Sequence, residues 1–167
     1  MSGSTRPLYR LLLTFLLASA AVAHAQANEE PAPDFALRTV DNQNLRLSEF
    51  RGEVVMLNFW ASWCGECRQS IPALTDLYAK YHRAGLVLLS INVDDDMNRA
   101  TDLVRGLKMS FPVLFDNRKE VSKLYKVDAM PLTLLIDREG VVRYSHNGYR
   151  LGDEEQFLER LRTLLKE

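Results

Sequence analysis

The chain carries the stretch VVMLNFWASWCGEC at residues 54–67. Its first seven residues are apolar with almost no alternation, which is typical of a central strand that is buried on both faces. Beyond the two cysteines, Cys64 and Cys67, apolar residues recur at helical spacing from Ile71 onward. The stretch therefore predicts a strand-to-helix turn that presents a pair of thiols.

This junction favours a reactive thiolate. The first turn of a helix has unpaired N–H groups and a partial positive charge, and both lower the pKa of a thiol. Cysteines three residues apart lie on one helix face, close enough to form a disulfide. We expect Cys64 to be exposed and to attack or be attacked, and Cys67 to be covered and to resolve the mixed disulfide.

Two other interpretations of the pair remain open. A permanent disulfide across so short a loop would contribute little stability. A zinc site would need about four ligands, and the histidines available beyond the pair, His82 and His146, are far apart in the sequence. The strand-to-helix context favours a redox pair over both.

The remaining pattern predicts one α/β domain. A C-terminal helix has Asp153 as its N-cap, and the residues Asp94, Asp95 and Asp96 form the solvated start of another helix. Strands that alternate with helices indicate a mixed sheet covered on both faces. The predicted strands are residues 35–40, 45–47, 54–60, 86–93, 113–115, 132–136 and 141–145, and the other helices end near residues 83, 106 and 125.

The beginning of the chain predicts export. Arg6 and Arg10 precede an apolar run at residues 11–23, followed by small residues, so residues 1–27 are predicted to be a cleavable signal peptide. The run is shorter than the roughly 20 residues of a spanning helix, which disfavours a retained anchor. We expect residues 28–33 to be a linker and residues 34–167 to be the domain.

Composition excludes several classes of protein. Hydrophobic residues make up 47% and charged residues 26% of the chain, as in a globular protein. The net charge of −1 provides no basic surface for nucleic acid. The sequence has no Gly-rich phosphate-binding motif, and its acidic run lacks the glycine and glutamate of a calcium loop. We expect a monomer without a metal or cofactor.

Residues 58–67 resemble the active-site segment of the thioredoxin superfamily, specifically the exported TlpA-like thiol–disulfide oxidoreductases of bacteria. The resemblance covers residues 31–167 and implies a thioredoxin-like fold, with a central mixed β-sheet flanked by helices and an N-terminal β-hairpin extension. Further matching features are Pro72, the Met130-Pro131 pair, residues 32–35 and residues 47–52.

The resemblance also implies roles for single residues. It implies a cis bond before Pro131 that exposes the backbone of Met130 to pair with substrate, although from the residues alone an ordinary trans proline at a strand start is the alternative. Trp63 would form an apolar wall beside Cys64. The implied function is that of a periplasmic reductase of protein disulfides, re-reduced by a membrane thiol-reducing partner.

Three positions depart from the family pattern. Glu66 stands where many relatives have proline, and we expect its carboxylate to raise the pKa of Cys64. Ser70 and Asn58 stand where related proteins have proton-accepting carboxylates. A water molecule or Glu66 would therefore have to accept the proton of Cys67.

Two rival functions remain on the same fold. A peroxidase would need the pattern P-x-x-x-[ST]-x-x-C, and residues 59–64 contain no such proline. A copper(I) chaperone would bind metal through Cys64, Cys67 and a histidine, since copper(I) favours thiolates.

Overall fold

The computed structural model describes residues 31–167. Within that range the strands, in chain order, are β1 (Ala36–Thr39), β2 (Asn44–Arg46), β3 (Val54–Trp60), β4 (Leu86–Asn92), β5 (Val113–Phe115), β6 (Leu132–Ile136) and β7 (Val142–Asn147). They form one mixed sheet in the order β2-β1-β5-β4-β3-β6-β7. β1 and β2 pair as an antiparallel hairpin, so the predicted N-terminal hairpin is confirmed.

Four α-helices accompany these strands in the described part of the chain. They are α1 (Gly65–Tyr81), α2 (Met97–Gly106), α3 (Glu120–Leu124) and α4 (Asp153–Leu164), and short 3₁₀ helices occupy Leu47–Phe50 and His82–Ala84. The predicted α/β class with a mixed sheet is therefore confirmed.

β3 lies inside the sheet. It runs parallel to β4 and antiparallel to β6, and all of its seven residues are buried. Burial on both faces explains why its sequence is apolar without alternation. The turn that carries the cysteines thus emerges from a strand that is buried along its whole length.

Side-chain alternation along β3 separates two helical layers. The Phe59 ring lies 5.5 Å from the ring of Tyr125, which directly follows α3. Odd-numbered residues of β3 therefore face α3, and Asn58 points to the opposite face. There the Asn58 amide donates to Oγ1 of Thr133 on β6 at 3.1 Å.

The face that carries Asn58 is covered by α1 and α4. Thr133 pairs with His146 of β7, and the His146 ring lies 5.2 Å from the ring of Phe157 on α4. α1 packs beside α4, where Arg162 donates to the Tyr81 hydroxyl at 3.0 Å. Helices therefore cover both faces of the sheet, as predicted.

The end of α1 follows the prediction closely. The helix ends at Tyr81 and passes through the second 3₁₀ turn to Gly85, which has a φ of 99°. Glycine is needed there because other residues rarely adopt this conformation. A Cβ at this position would also lie 2.9 Å from Oε2 of Glu53.

One predicted helix start is wrong, and a second is right only in part. α4 has Gly152 as its N-cap, not Asp153; the Asp153 carboxylate instead accepts a hydrogen bond from the Arg150 N–H at 2.7 Å. α2 starts at Met97 with Asp96 as its N-cap, and Asp94 is buried, with 4% of its surface exposed. The acidic run is therefore only partly solvated, because its first residue turns inward.

The predicted signal peptide, residues 1–27, lies outside the described residues, as does the first half of the predicted linker. Residues 31–33 lie against the domain: Pro31 bridges to Val141, and the Ala32 N–H donates to the Gly140 carbonyl at 2.9 Å. The domain boundary at residue 34 stays a prediction. Along residues 31–167, no helix has the length and apolar character needed to cross a bilayer.

Candidate active site

Cys64 and Cys67 form a disulfide with a Cα–Cα distance of 5.3 Å. Cys64 is the N-cap residue of α1, and its sulfur accepts a hydrogen bond from the Cys67 N–H at 3.1 Å. A sulfur in this position receives both an unpaired helical N–H and the positive end of the helix dipole. After reduction, the same contacts favour the thiolate form of Cys64.

Cys64 is less exposed than the sequence suggests. Only 7% of its surface is accessible, against 0% for Cys67, so the prediction that Cys64 is exposed is wrong in degree. Cys64 nevertheless lines a surface cleft of about 460 Å³ together with Trp63, Glu66 and Met130. We call this depression the Cys64 cleft; it gives a substrate access to one sulfur of the pair.

Met130 covers the disulfide from a distant part of the chain. Its peptide bond to Pro131 is cis, and its carbonyl oxygen lies 3.7 Å from Sγ of Cys64. The Pro131 carbonyl accepts a hydrogen bond from the Gly148 N–H at 2.8 Å, which continues the pairing of β6 with β7. Met130 therefore lies against Cys64, and Pro131 joins it to β6.

Trp63 is the largest exposed apolar side chain of the cleft. It is 67% exposed, whereas Trp60, three residues earlier, is fully buried. Water-exposed apolar surface is costly to keep, and here it directly precedes the accessible sulfur. Its position beside Cys64 agrees with that of the predicted apolar wall.

Glu66 is exposed, and its Oε2 accepts a hydrogen bond from the Tyr149 N–H at 3.3 Å. It thereby joins the start of α1 to the loop between β7 and α4. The Tyr149 side chain is buried, and its hydroxyl donates to Glu154 at 2.8 Å. Burial and this hydrogen bond raise the pKa of Tyr149 to about 12, so the phenol is a neutral hydrogen-bond donor at ordinary pH.

Asn58 and Ser70 supply neutral groups on the covered side of the site. Both are buried, and Ser70 donates to the Cys67 carbonyl at 2.9 Å. Within residues 31–167, Oδ1 of Asn58 has no hydrogen-bond partner. Neither position offers a carboxylate that could take the proton of Cys67.

Asp94 is a site residue that the sequence analysis missed. Its two carboxylate oxygens lie 3.2 and 3.0 Å from the Ser62 N–H, and one also accepts from the Asn92 amide at 2.9 Å. Asp94 therefore fixes the loop that leads into Cys64. The position of Asp94 just after β4 is the feature of the sequence that could have identified it. Neighbouring parallel strands end at the same edge of a sheet, so a residue after β4 lies near the loop that follows β3.

Around this site and elsewhere in the described range, no three His, Cys, Asp or Glu side chains converge as a metal-binding group would require.

A disulfide closed at the start of a helix, with one sulfur at a cleft and the other enclosed, defines a thiol–disulfide oxidoreductase of the thioredoxin fold. Residues 29–145 match the model of the AhpC/TSA family. The chain belongs to this family, among its thioredoxin-like thiol–disulfide oxidoreductases.

Individual relatives agree with this assignment. The chain is 32% identical to the thiol-disulfide oxidoreductase ResA of Geobacillus thermodenitrificans over 81% of its own length and 75% of the relative's. Its structure is similar to that of a protein described as thiol:disulfide interchange protein DsbE from Chlorobium tepidum. The TM-score is 0.79 and the identity 38%, over 82% of this chain and 96% of that one.

A second solved structure is the exposed lipoprotein thioredoxin Etrx1 of Streptococcus pneumoniae. It has a TM-score of 0.70 and 29% identity, over 79% of this chain and the full length of that one.

Proposed function

We propose that this protein is an extracytoplasmic, periplasmic reductase of protein disulfides. The observation that carries the proposal is the unequal surroundings of the two sulfurs. Cys64 borders the cleft at the positive end of α1, whereas Cys67 is fully enclosed one turn later. Such an arrangement lets only one sulfur meet a substrate and keeps the other for the second step.

In the proposed cycle, the Cys64 thiolate attacks one sulfur of a substrate disulfide. A mixed disulfide forms, and the other substrate sulfur leaves as a thiolate that takes up a proton. Cys67 then loses its proton and attacks Sγ of Cys64, which releases the second substrate thiol. Two electrons pass to the substrate, and the protein ends with the Cys64–Cys67 disulfide.

The proposed substrate contacts come from Trp63, Met130 and Pro131. The turn before Pro131 brings the Met130 backbone to the cleft, where an extended peptide can pair with it in the manner of an added strand. Trp63 would cover apolar side chains next to the reacting cysteine. Backbone pairing of this kind accepts many sequences, which suits a protein with several substrates.

Renewed activity requires electrons from outside the molecule. We assign this step to a membrane thiol-reducing partner that meets the same cleft. An extracytoplasmic location is supported by the predicted signal peptide at residues 1–27 and by the similarity to the exposed pneumococcal lipoprotein. The proposed working form is a monomer, because one chain contains both cysteines.

Trapping of the mixed disulfide tests this mechanism. We expect Cys67→Ala to accumulate covalent adducts through Cys64 when it is expressed with its export signal, because nothing then resolves them. Extracts separated under non-reducing conditions should show adduct bands that vanish with dithiothreitol. Cys64→Ala is the matched control and should trap far fewer adducts, since Cys67 is enclosed. Equal trapping by both variants, or by neither, contradicts the proposed roles.

A further inference from the structure

A second depression, of about 580 Å³, adjoins the Cys64 cleft. Trp63 and Met130 line both depressions, so one continuous surface runs from the disulfide to α3. Its far end is bordered by Lys119, Lys123 and Lys126. We call this second depression the lysine groove.

Lys119 directly precedes α3, Lys123 lies within it and Lys126 follows it, and the same depression brings the three side chains together. The ammonium group of Lys119 is already occupied, because it pairs with Asp95 at 2.7 Å and donates to the Val93 carbonyl. Lys123 and Lys126 are exposed. Neither ammonium group has an ion pair or hydrogen bond with any residue in the range 31–167.

The charge changes sign along this surface. Glu66 and Asp128 line the Cys64 cleft, and Asp128 also reaches the near end of the lysine groove. The unpaired lysines lie only at the end near α3. Because the whole chain carries a net charge of −1, the basic groove is a local feature and not part of a generally basic protein.

We infer that the lysine groove docks an acidic segment of the protein substrate, an inference that rests on the proposed reductase function. Carboxylates several residues away from the reacting cysteine would lie against Lys123 and Lys126. Carboxylates directly beside that cysteine would instead meet Glu66 and Asp128. The groove thus selects substrates by the distance of their acidic residues from the reacting cysteine as well as by the number of these residues.

The probes are synthetic peptides that contain one cysteine and are linked as symmetric disulfides. In one acidic peptide, two aspartates occupy the third and fourth positions before the cysteine, and in the other they occupy the third and fourth positions after it. The neutral peptide carries asparagines at these positions. The protein is reduced with dithiothreitol and freed of it. Its Cys64–Cys67 dithiol is then oxidised while each peptide disulfide becomes two thiols, which are counted after acid quenching.

The variants are chosen from the backbone conformation of Lys126. Its φ is 52°, a conformation that glycine adopts without strain, so Lys126→Gly removes the charge without weakening the fold. Lys108 is an exposed lysine with a φ of 50°. It precedes β5, at the sheet edge opposite to the one where β3 leads into Cys64, so Lys108→Gly is a matched control.

We expect wild-type protein and Lys108→Gly to reduce at least one acidic peptide about fivefold faster than the neutral one at low salt. Lys123→Gln/Lys126→Gly should lose this preference and keep the neutral rate. About 0.5 M salt should abolish the preference in the wild type. These results together support the inference.

Equal rates for acidic and neutral peptides in the wild type would overturn the inference and leave the proposed function standing. A further result would also overturn the inference while leaving the proposed function standing: equal peptide rates together with sedimentation on phosphatidylglycerol vesicles that depends on the lysines. That result would assign the groove to a lipid surface. Reduction of no peptide at all would overturn the proposed function, and the inference with it.

Discussion

Two carboxylates lie near the turn that carries Cys64 and are held in different ways. Asp94 is buried and binds the Ser62 N–H with both oxygens. Glu66 is exposed and accepts a single, longer hydrogen bond from Tyr149. Asp94 is therefore part of the framework of the turn, whereas Glu66 can be exchanged with little structural cost. This makes Glu66 the better position for changing the charge near Cys64.

Glu66→Pro should raise the reduction potential of the Cys64–Cys67 couple by about 5–20 mV. The carboxylate opposes the Cys64 thiolate, so its removal stabilises the reduced form by the small amount expected for exposed charges. Equilibration with glutathione redox buffers, followed by acid quenching and alkylation, measures the shift.

Glu66→Gln is the control that separates charge from backbone effects, because it keeps the side-chain length and an oxygen acceptor for the Tyr149 N–H. It should reproduce most of the shift. A shift to lower potential in either variant would show that Glu66 does not act through its charge.

Single residues differ in how far the sequence could identify them. Cys64 and Cys67 were identified from a local pattern, because the chemistry of a helix start needs only neighbouring residues. Asp94 was missed because its partner is 32 residues away and meets it only through the pairing of β3 with β4. The low exposure of Cys64 likewise depends on Met130, 66 residues further along the chain.

At the scale of elements, hydrophobic period predicted each strand and helix more reliably than its ends. The predicted bounds of β3 and β6 are the observed ones, because a fully buried strand is a continuous, mostly apolar run whose two ends can be recognised in the sequence. β7 extends to Asn147, past the predicted end at residue 145, because its pairing with β6 continues there. The α4 start was misplaced by one residue because Gly152, with a φ of 103°, has no side chain that signals a cap.

Contacts in the loop between β7 and α4 lead us to expect that the folded protein loses stability in acid. The hydrogen bond from the Arg150 N–H, together with His146 at 3.0 Å, holds the pKa of Asp153 below its usual value. A carboxyl whose pKa is lower in the folded state stabilises the protein above its unfolded pKa of about 3.9. That contribution is lost as the pH falls below about 4.

Asp153→Asn should remove this part of the pH dependence. The amide oxygen can still accept from Arg150 N–H, so the loss at pH 7 should stay below about 1 kcal/mol in the free energy of unfolding. Urea denaturation between pH 3 and 7 measures it. Glu155→Gln, an exposed change in the same helical turn, should keep the wild-type pH profile; if both variants behave alike, the effect is one of net charge and not of Asp153.

At the scale of the whole molecule, strand direction assembles the site at one edge of the sheet. Cys64 and Asp94 follow β3 and β4, which are parallel and end together. Met130 precedes β6, which runs antiparallel to β3 and so begins at that edge, and Tyr149 follows β7, which returns to it. The fold therefore encloses the disulfide from several sides, although these residues are far apart in the sequence.

This enclosure leads to an expected reduction potential for the couple. A reductase of other disulfides must give up electrons readily, so we expect a value nearer the −270 mV of thioredoxin than the −120 mV of DsbA. The burial of both sulfurs favours this outcome, because burial opposes the charged thiolate that would stabilise the reduced form. Titration with dithiothreitol and glutathione buffers, read by alkylation, gives the potential, and Cys67→Ala supplies the baseline for glutathione adducts on Cys64. A value near −120 mV would contradict the proposed reductase direction, because the protein would then accept electrons from its substrates and act as an oxidant.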